Sequence, residues 1–455
     1  MPDNFQLSRP RNNCRGGSGL RGVRPKKLNR EEGVIIVLVA VFMLGAVGAM
    51  AALSIDVITL YTARSEAQLT ADAGALAAAR ALANSGATSD PSGNLMTLAE
   101  PLASKVAIQV AQSSYVGGRY LDASKGEVVV SFSDSQTNPC IALHPITNPC
   151  VTVSVQRTDL PTFFARIWGA NEVKVATSAT AEAYNPTNVS GGGSNPNPPV
   201  APICVKPWLL PNIDPTPGGT TIFDPTSGAV TATSTLLSYA PNSTPEKLHV
   251  RNVNAAILPA AWKPYSSDSV SFPVPSDFPS CAPSMTTDYQ KSIAGCVQTP
   301  IACNALVNIQ LAPNGNINPD TANAVNCLTH ATNGNGDSVF PQNNATLPFE
   351  FTAGSDNPIP NANGNNVMVS DSIVTVPVVN LTATTAPWPP TTQLQIIGFV
   401  QLFLNSDGNN TNTSGGQAGR INTTVVNLVG CGASATGAAI FGNGASPVAV
   451  RLVSP

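Results

Sequence analysis

The feature that most constrains this chain is an uninterrupted apolar run at residues 33–55 (GVIIVLVAVFMLGAVGAMAALSI), 23 residues without a charge. As a helix it is about 35 Å long at 1.5 Å per residue, enough to cross the hydrocarbon core of a bilayer. A buried helix of a soluble domain is rarely so uniformly apolar, because one face of it normally meets water. The run therefore predicts a transmembrane helix at 33–55. A cleaved signal peptide is the rival, since Ala49-Met50-Ala51 resembles a small-residue cleavage site. The run exceeds the usual 7–15 residue core of such a signal, and helix-favouring sequence continues through the proposed cut.

Charge gives the span a direction. Arg9, Arg11, Arg15, Arg21, Arg24, Lys26, Lys27 and Arg30 precede the span against Asp3, Glu31 and Glu32, so residues 1–32 carry +5. The remainder holds 15 basic and 23 acidic residues, a net −8. Basic flanks stay on the cytoplasmic side, so residues 1–32 read as a cytoplasmic tail of an inner-membrane, single-pass protein with its bulk extracytoplasmic. A nucleic-acid role needs clustered cations to displace counterions, and no Lys or Arg occurs between Lys291 and Arg420. No nucleic-acid partner is expected; the basic head alone could bind phosphate, but the topology accounts for it better. Only 11 % of the chain is charged, about half the usual share.

The helix pattern continues beyond the span. Residues 56–83 contain no Pro, one Gly and many Ala and Leu, strong helix formers. Asn84-Ser85-Gly86 supplies the stop. Residues 56–84 are thus expected to form a helical stalk. Arg64, Gln68 and Asp72 share one face at i, i+4, i+8 spacing. They read as a solvated stripe on an amphipathic stalk, with a partner-facing stripe as the alternative. Gly45…Ala49 and Gly48…Ala52 allow close helix contact, the weak basis for a helix-mediated oligomer.

The ordered run of Asp56, Arg64, Gln68 and Asp72, followed by Ala-Gly-Ala-Leu-Ala-Ala-Ala, resembles the N-terminal membrane domain of the TadG-like, Flp-pilus tight-adherence family. Val151-Thr-Val-Ser-Val-Gln-Arg157, Pro161-Thr-Phe-Phe-Ala-Arg166-Ile-Trp-Gly169 and the strand-like 173–183 are similar to a segment that follows it in that family. Tyr289 to Cys296, Val376-Pro377-Val-Val and Gly398-Phe-Val-Gln-Leu-Phe403 look like the distal part of its longer members. Two departures matter. The Asp-x-Ser-x-Ser motif of a von Willebrand A domain does not occur; Asp90-Pro-Ser92 and Asp122-Ala-Ser124 lack the last Ser. A prepilin cleavage site is also missing, because Leu38 stands where Glu would follow Gly33. The resemblance implies a membrane-anchored accessory protein whose partners are other pilus-assembly membrane proteins. It does not imply a filament subunit.

Beyond the stalk, residues 85–184 read as a small α/β unit. Strands are expected at 128–132, 151–155 and 173–181, and a short helix from Pro161 to Trp168. Residues 185–203 are an Asn/Pro/Gly/Ser linker. Residues 204–455 hold 19 charges and short apolar runs (373–379, 394–404, 423–429) between Asn/Gly turns, the rhythm of a mainly-β domain. The expected class is α+β: a single N-terminal transmembrane helix extended into a stalk, a small α/β unit, then a mainly-β domain.

Eight of the nine cysteines follow the span, as an oxidising compartment allows. Cys140 and Cys150 end one loop between matching Asn-Pro turns and are the expected local bridge. The other pairings are open, since eight cysteines permit 105 connectivities. Chemistry is sparse. His144, His249 and His330 fall in no catalytic or zinc motif, and Gly17-Ser-Gly-Leu-Arg-Gly22 has no strand before it. The Asn/Asp/Gly tracts at 333–337 and 405–412 complete no calcium loop. No catalytic residue, cofactor or metal ligand is expected, and the protein is expected not to be an enzyme. An anchored adhesin binding an extracellular ligand through 204–455 is the alternative. A secreted hydrolase released near Ala52 is a third possibility.

Overall fold

The computed structural model describes residues 30–89, 94–133, 148–169, 172–188, 199–208, 210–212, 221–231, 249–250, 265–266, 285–296, 298–308, 310–311, 317–329, 336–340, 350–355, 357, 361–366, 370–380, 393–404, 411–412, 420–432, 440 and 446–453. The chain divides into two compact units, Met1–Ile58 with Thr162–Ala170, and Thr59–Pro161 with Asn171–Pro455. Helix α1, Arg30–Asn84, is 55 residues long and contributes to both. It is the one helix among the described residues long and apolar enough to cross a membrane.

In the first unit the apolar side chains of α1 face outward all round. Val34, Phe42, Leu44 and Met50 are 65–77 % exposed, and the other large apolar side chains through Ile58 are 47–69 % exposed. A soluble helix buries such a stripe; this one leaves its large side chains uncovered.

The second unit is built on two sheets, one antiparallel and one mixed. From Ala63 onward α1 no longer stands free. Ala63, Ala67, Ala71, Ala75 and Ala79 recur every fourth residue and are buried, with Ala78 and Leu82 beside them. Helix α2, Asn94–Gln112, buries Ala99, Ala103, Ala107 and Ala111 at the same spacing. Both alanine stripes join the core formed by Val151, Val153 and Val155. These valines alternate along a strand, as one buried sheet face requires. The sheet is β1 (Val128–Ser133), β2 (Cys150–Pro161), β3 (Glu172–Tyr184) and β8 (Ala449–Val453), in the order β8-β3-β2-β1. The last strand of the chain therefore completes the first sheet: Val450 lies opposite Ala183 and Leu452 opposite Ala181. A mainly-β region read as independent from residue 204 onward returns its final strand across the expected linker. The linker range itself holds a one-turn 3-10 helix, Pro186–Asn188; residues 189–198 lie outside the described residues.

The second sheet carries β4 (Leu210–Pro211), β5 (Ile373–Val379), β6 (Gln393–Leu404) and β7 (Arg420–Gly430) in chain order. β5, β6 and β7 are antiparallel neighbours, and β4 is parallel to β5. All seven residues of β5 are buried, which explains its continuous rather than alternating apolar sequence. Val374, Val376 and Val378 of β5 share a core with Trp208, Phe223, Ile293, Val325 and Leu402, drawing in α3 (Asp288–Ala294) and α4 (Ile317–Leu328). Thr287 caps α3 reciprocally with Gln290, a capping box.

A buried polar knot joins the end of α1 to this sheet. The Asn427 side chain donates to the Ala83 carbonyl and to Gln401 Oε1 (2.6 Å), and its oxygen accepts from the hydroxyls of Thr88 (3.3 Å) and Ser89 (3.1 Å). Asn185 donates to the carbonyls of Thr88 and Leu428. Disulfides Cys204–Cys296 and Cys303–Cys431 cross-link distant parts of the second unit. Cys150 and Cys327 are disulfide-bonded too. Cys140, the expected partner of Cys150, lies outside the described residues.

Candidate functional site

Four positions were singled out on α1, and they divide between the two units. Asp56 stands alone in the first. It is 2 % exposed, between Ile55 at 47 % and Val57 at 56 %, so something covers it alone. The cover is the turn at 162–169. Asp56 Oδ1 accepts from the Phe163 amide (2.9 Å), and Oδ2 accepts from the amides of Phe164 (2.9 Å) and Ala165 (2.6 Å). The amides of Phe164 and Ala165 open a one-turn 3-10 helix, Ala165–Trp168, which has no side-chain cap of its own, and Phe163 precedes it. A carboxylate from 107–109 residues away supplies the anion that such an end favours. Burial opposes the charged form, but the amides of Ala165, Phe163 and Phe164 outweigh it and hold the carboxyl below its ordinary range. Gly169 closes the turn at φ +90°, where its amide reaches the carbonyls of Ala165 and Arg166. A residue with a Cβ adopts that conformation only under strain.

The site thus brings together two stretches noted separately in the sequence, the Asp after the apolar run and Pro161-Thr-Phe-Phe-Ala. Pro161 belongs to the end of β2 rather than to a helix, and the expected helix shrinks to Ala165–Trp168.

The other three positions lie in the second unit. Gln68 and Asp72 are half-buried, and Gln68 Nε2 donates to Asp72 Oδ1 (2.8 Å) and to the Ser178 carbonyl of β3 (3.4 Å). Arg64 is exposed. Along the expected stripe exposure falls from Arg64 to the half-buried Gln68 and Asp72, beside an alanine face that is core. Glu66, which sequence reasoning passed over, accepts from the Gly117 amide (2.7 Å). It holds the short hairpin of Tyr115–Val116 and Arg119–Tyr120. Arg119 then bridges Glu127 and Asp159, and Arg157 bonds Asp159 (2.8 Å). The Arg119 hydrogen bonds depress Glu127 below its ordinary range despite its burial. No signal in a single sequence marks such a network, since its members are spread over residues 66–159.

Among the described residues no three His, Cys, Asp or Glu side chains gather as a metal site. Asp337, from one tract weighed for calcium, is buried and bonds Gly354, Asn357 and Ser370. It organises a turn; residues 333–335 and 405–410 lie outside the described residues.

No curated protein and no solved structure matches the chain. One family model does, and it covers the apolar helix, Asp56 and the Arg64–Gln68–Asp72 stripe: residues 33–81 are similar to the putative Flp pilus-assembly TadE/G-like domain.

Proposed function

We propose that this chain is a membrane-anchored accessory component of Flp-type pilus assembly that acts without catalysis. It is inserted once in the inner membrane, with residues 1–32 in the cytoplasm and the folded bulk outside. The observation that carries the reading is that the matched segment, 33–81, opens on an apolar helical stretch whose large side chains are all exposed over 34–55. A helix that covers none of its apolar surface needs lipid or other membrane helices around it. The charge step across residue 33 supports the orientation, and the cross-linked second unit suits an oxidising space. Its partners would be other membrane proteins of the assembly machine.

The test is a clean deletion complemented in trans. Loss of surface pili together with adherence is expected. Normal pili with adherence lost would sink the assembly role and favour an adhesin. Protease added to spheroplasts should digest residues 59–455 while an epitope placed before residue 30 survives; the reverse result sinks the topology.

A further inference from the structure

The turn at 162–169 groups with the apolar helix, not with the sheet whose strands it connects. Asp56 explains how: three of the turn's amides are bonded to the carboxylate that directly follows the apolar run. The stretch 34–55 is about 33 Å long as a helix, close to the thickness of a hydrocarbon core. A span seated over that stretch puts Asp56 at the headgroup boundary. The turn's own chemistry suits the same depth. Its sequence is Thr-Phe-Phe-Ala-Arg-Ile-Trp-Gly. Phe163 is 63 % exposed, although its own amide is fixed to Asp56, and Arg166 is exposed beside it. Segments that lie in the interface bury Phe and similar apolar side chains at the headgroup–acyl boundary, and an Arg there meets lipid phosphates.

We propose that the 162–169 turn is a second, interfacial membrane anchor. It is an aromatic and cationic foot resting in the outer headgroup layer of the bilayer that α1 crosses, with Asp56 setting its depth. The inference rests on the anchoring reading above. Asp56 is then a positioning residue. By tying the foot to the helix it sets how far the helix slides and tilts, two freedoms a single apolar helix otherwise keeps.

The test uses the full chain in phosphatidylcholine/phosphatidylglycerol vesicles whose lipids carry bromine either near the headgroup or near the methyl end. W168F removes the natural indole of the turn, and F163W in that background places one at its exposed aromatic position. The emission gained by F163W/W168F over W168F should be quenched by headgroup-proximal bromine more than by deep bromine. Adding D56A should remove most of that quenching. Gained emission insensitive to both lipids overturns the foot, and quenching untouched by D56A overturns the role of Asp56. Alkaline carbonate extraction separates the two levels. Resistance of every variant leaves the helix anchor standing whatever the foot does, whereas release of the wild-type chain overturns both.

Discussion

At the scale of single residues, two buried charges show how far sequence reaches. Asp56 was visible as part of a motif, but its partner amides lie more than a hundred positions away, and nothing local announces them. Replacing Asp56 by Ala leaves three amide donors without their acceptor, and hydrogen exchange at Phe163, Phe164 and Ala165 should rise by on the order of tenfold or more. Asp56→Asn should fall between, since a neutral oxygen accepts more weakly. The folded-state pKa is depressed, so this protection is present above the ordinary Asp value and is lost as pH falls through the lower folded one. It should persist near about pH 4 and disappear on further acidification, whereas the Asn variant should show no such step. Lys206 was not visible at all, because a lone Lys in sequence reads as solvated surface. It is buried, and its Nζ donates to the carbonyls of Ile293 (2.6 Å) and Gly295 (2.8 Å) at the end of α3. Burial pushes the amine down to about 8, with Asp371 opposing. The unfolded chain then binds more protons between that value and the ordinary Lys value of about 10.4, and stability should rise with pH across that window. Urea midpoints of wild type and Lys206→Met should diverge there, with the slope missing from the variant; parallel curves would remove the buried-amine account.

At the scale of elements, strands were more legible than the helix core. The run 373–379 coincides with β5, and 394–404 differs from β6 by one residue, because β-branched and apolar residues fill both faces of a buried strand. The second half of α1 misled for a physical reason. Alanine is a strong helix former with little apolar surface, so a stripe of it looks like a bare stalk while it lets a helix approach a sheet closely. Close approach also decides two glycines. A Cβ on Gly398 of β6 would run into the Phe223 ring, and one on Gly430 of β7 into the Gly228 carbonyl. The tightest obstacle at Gly398 is a side chain, with the Val429 carbonyl just behind it, whereas at Gly430 it is backbone, so the two substitutions separate in how far truncating the ring relieves them. Gly430→Ala should lower unfolding free energy by about 2–3 kcal/mol, and Phe223→Ala should not relieve it. Gly398→Ala should cost less when Phe223 is also truncated, which a double-mutant cycle in urea measures. Additive losses at 398 and 223 would show that the Val429 carbonyl, not the ring, sets the cost.

At the scale of the whole molecule, composition suggests a compartment and says nothing of closure. Low charge and eight cysteines after the span pointed to an oxidising space. Turn rhythm pointed to a β-rich region with a boundary near residue 200. What no local pattern carries is that the second unit closes on itself. β8 enters the sheet of β1–β3, Arg451 pairs with Glu182 (2.8 Å) and stacks 5.1 Å from the Tyr184 ring centroid, and Cys431 is tied to Cys303 across 128 positions. Pairings so far apart in sequence are slow to find and costly in chain entropy. The bridge should therefore contribute on the order of 4–5 kcal/mol by restricting the unfolded chain. Cys303→Ser/Cys431→Ser should shift the unfolding midpoint down accordingly without changing the exchange pattern of the native sheet. Removing 447–455 should act differently. It strips one edge of β3 of its partner, so amides at 180–184 should lose protection while those of β5 and β6 keep theirs. If the two sheets instead lose protection together, the strand is closing the unit as one cooperative body. If 180–184 stay protected, β8 is not what holds that edge. Either pattern is read from one exchange experiment on the full chain in detergent, with the disulfides intact.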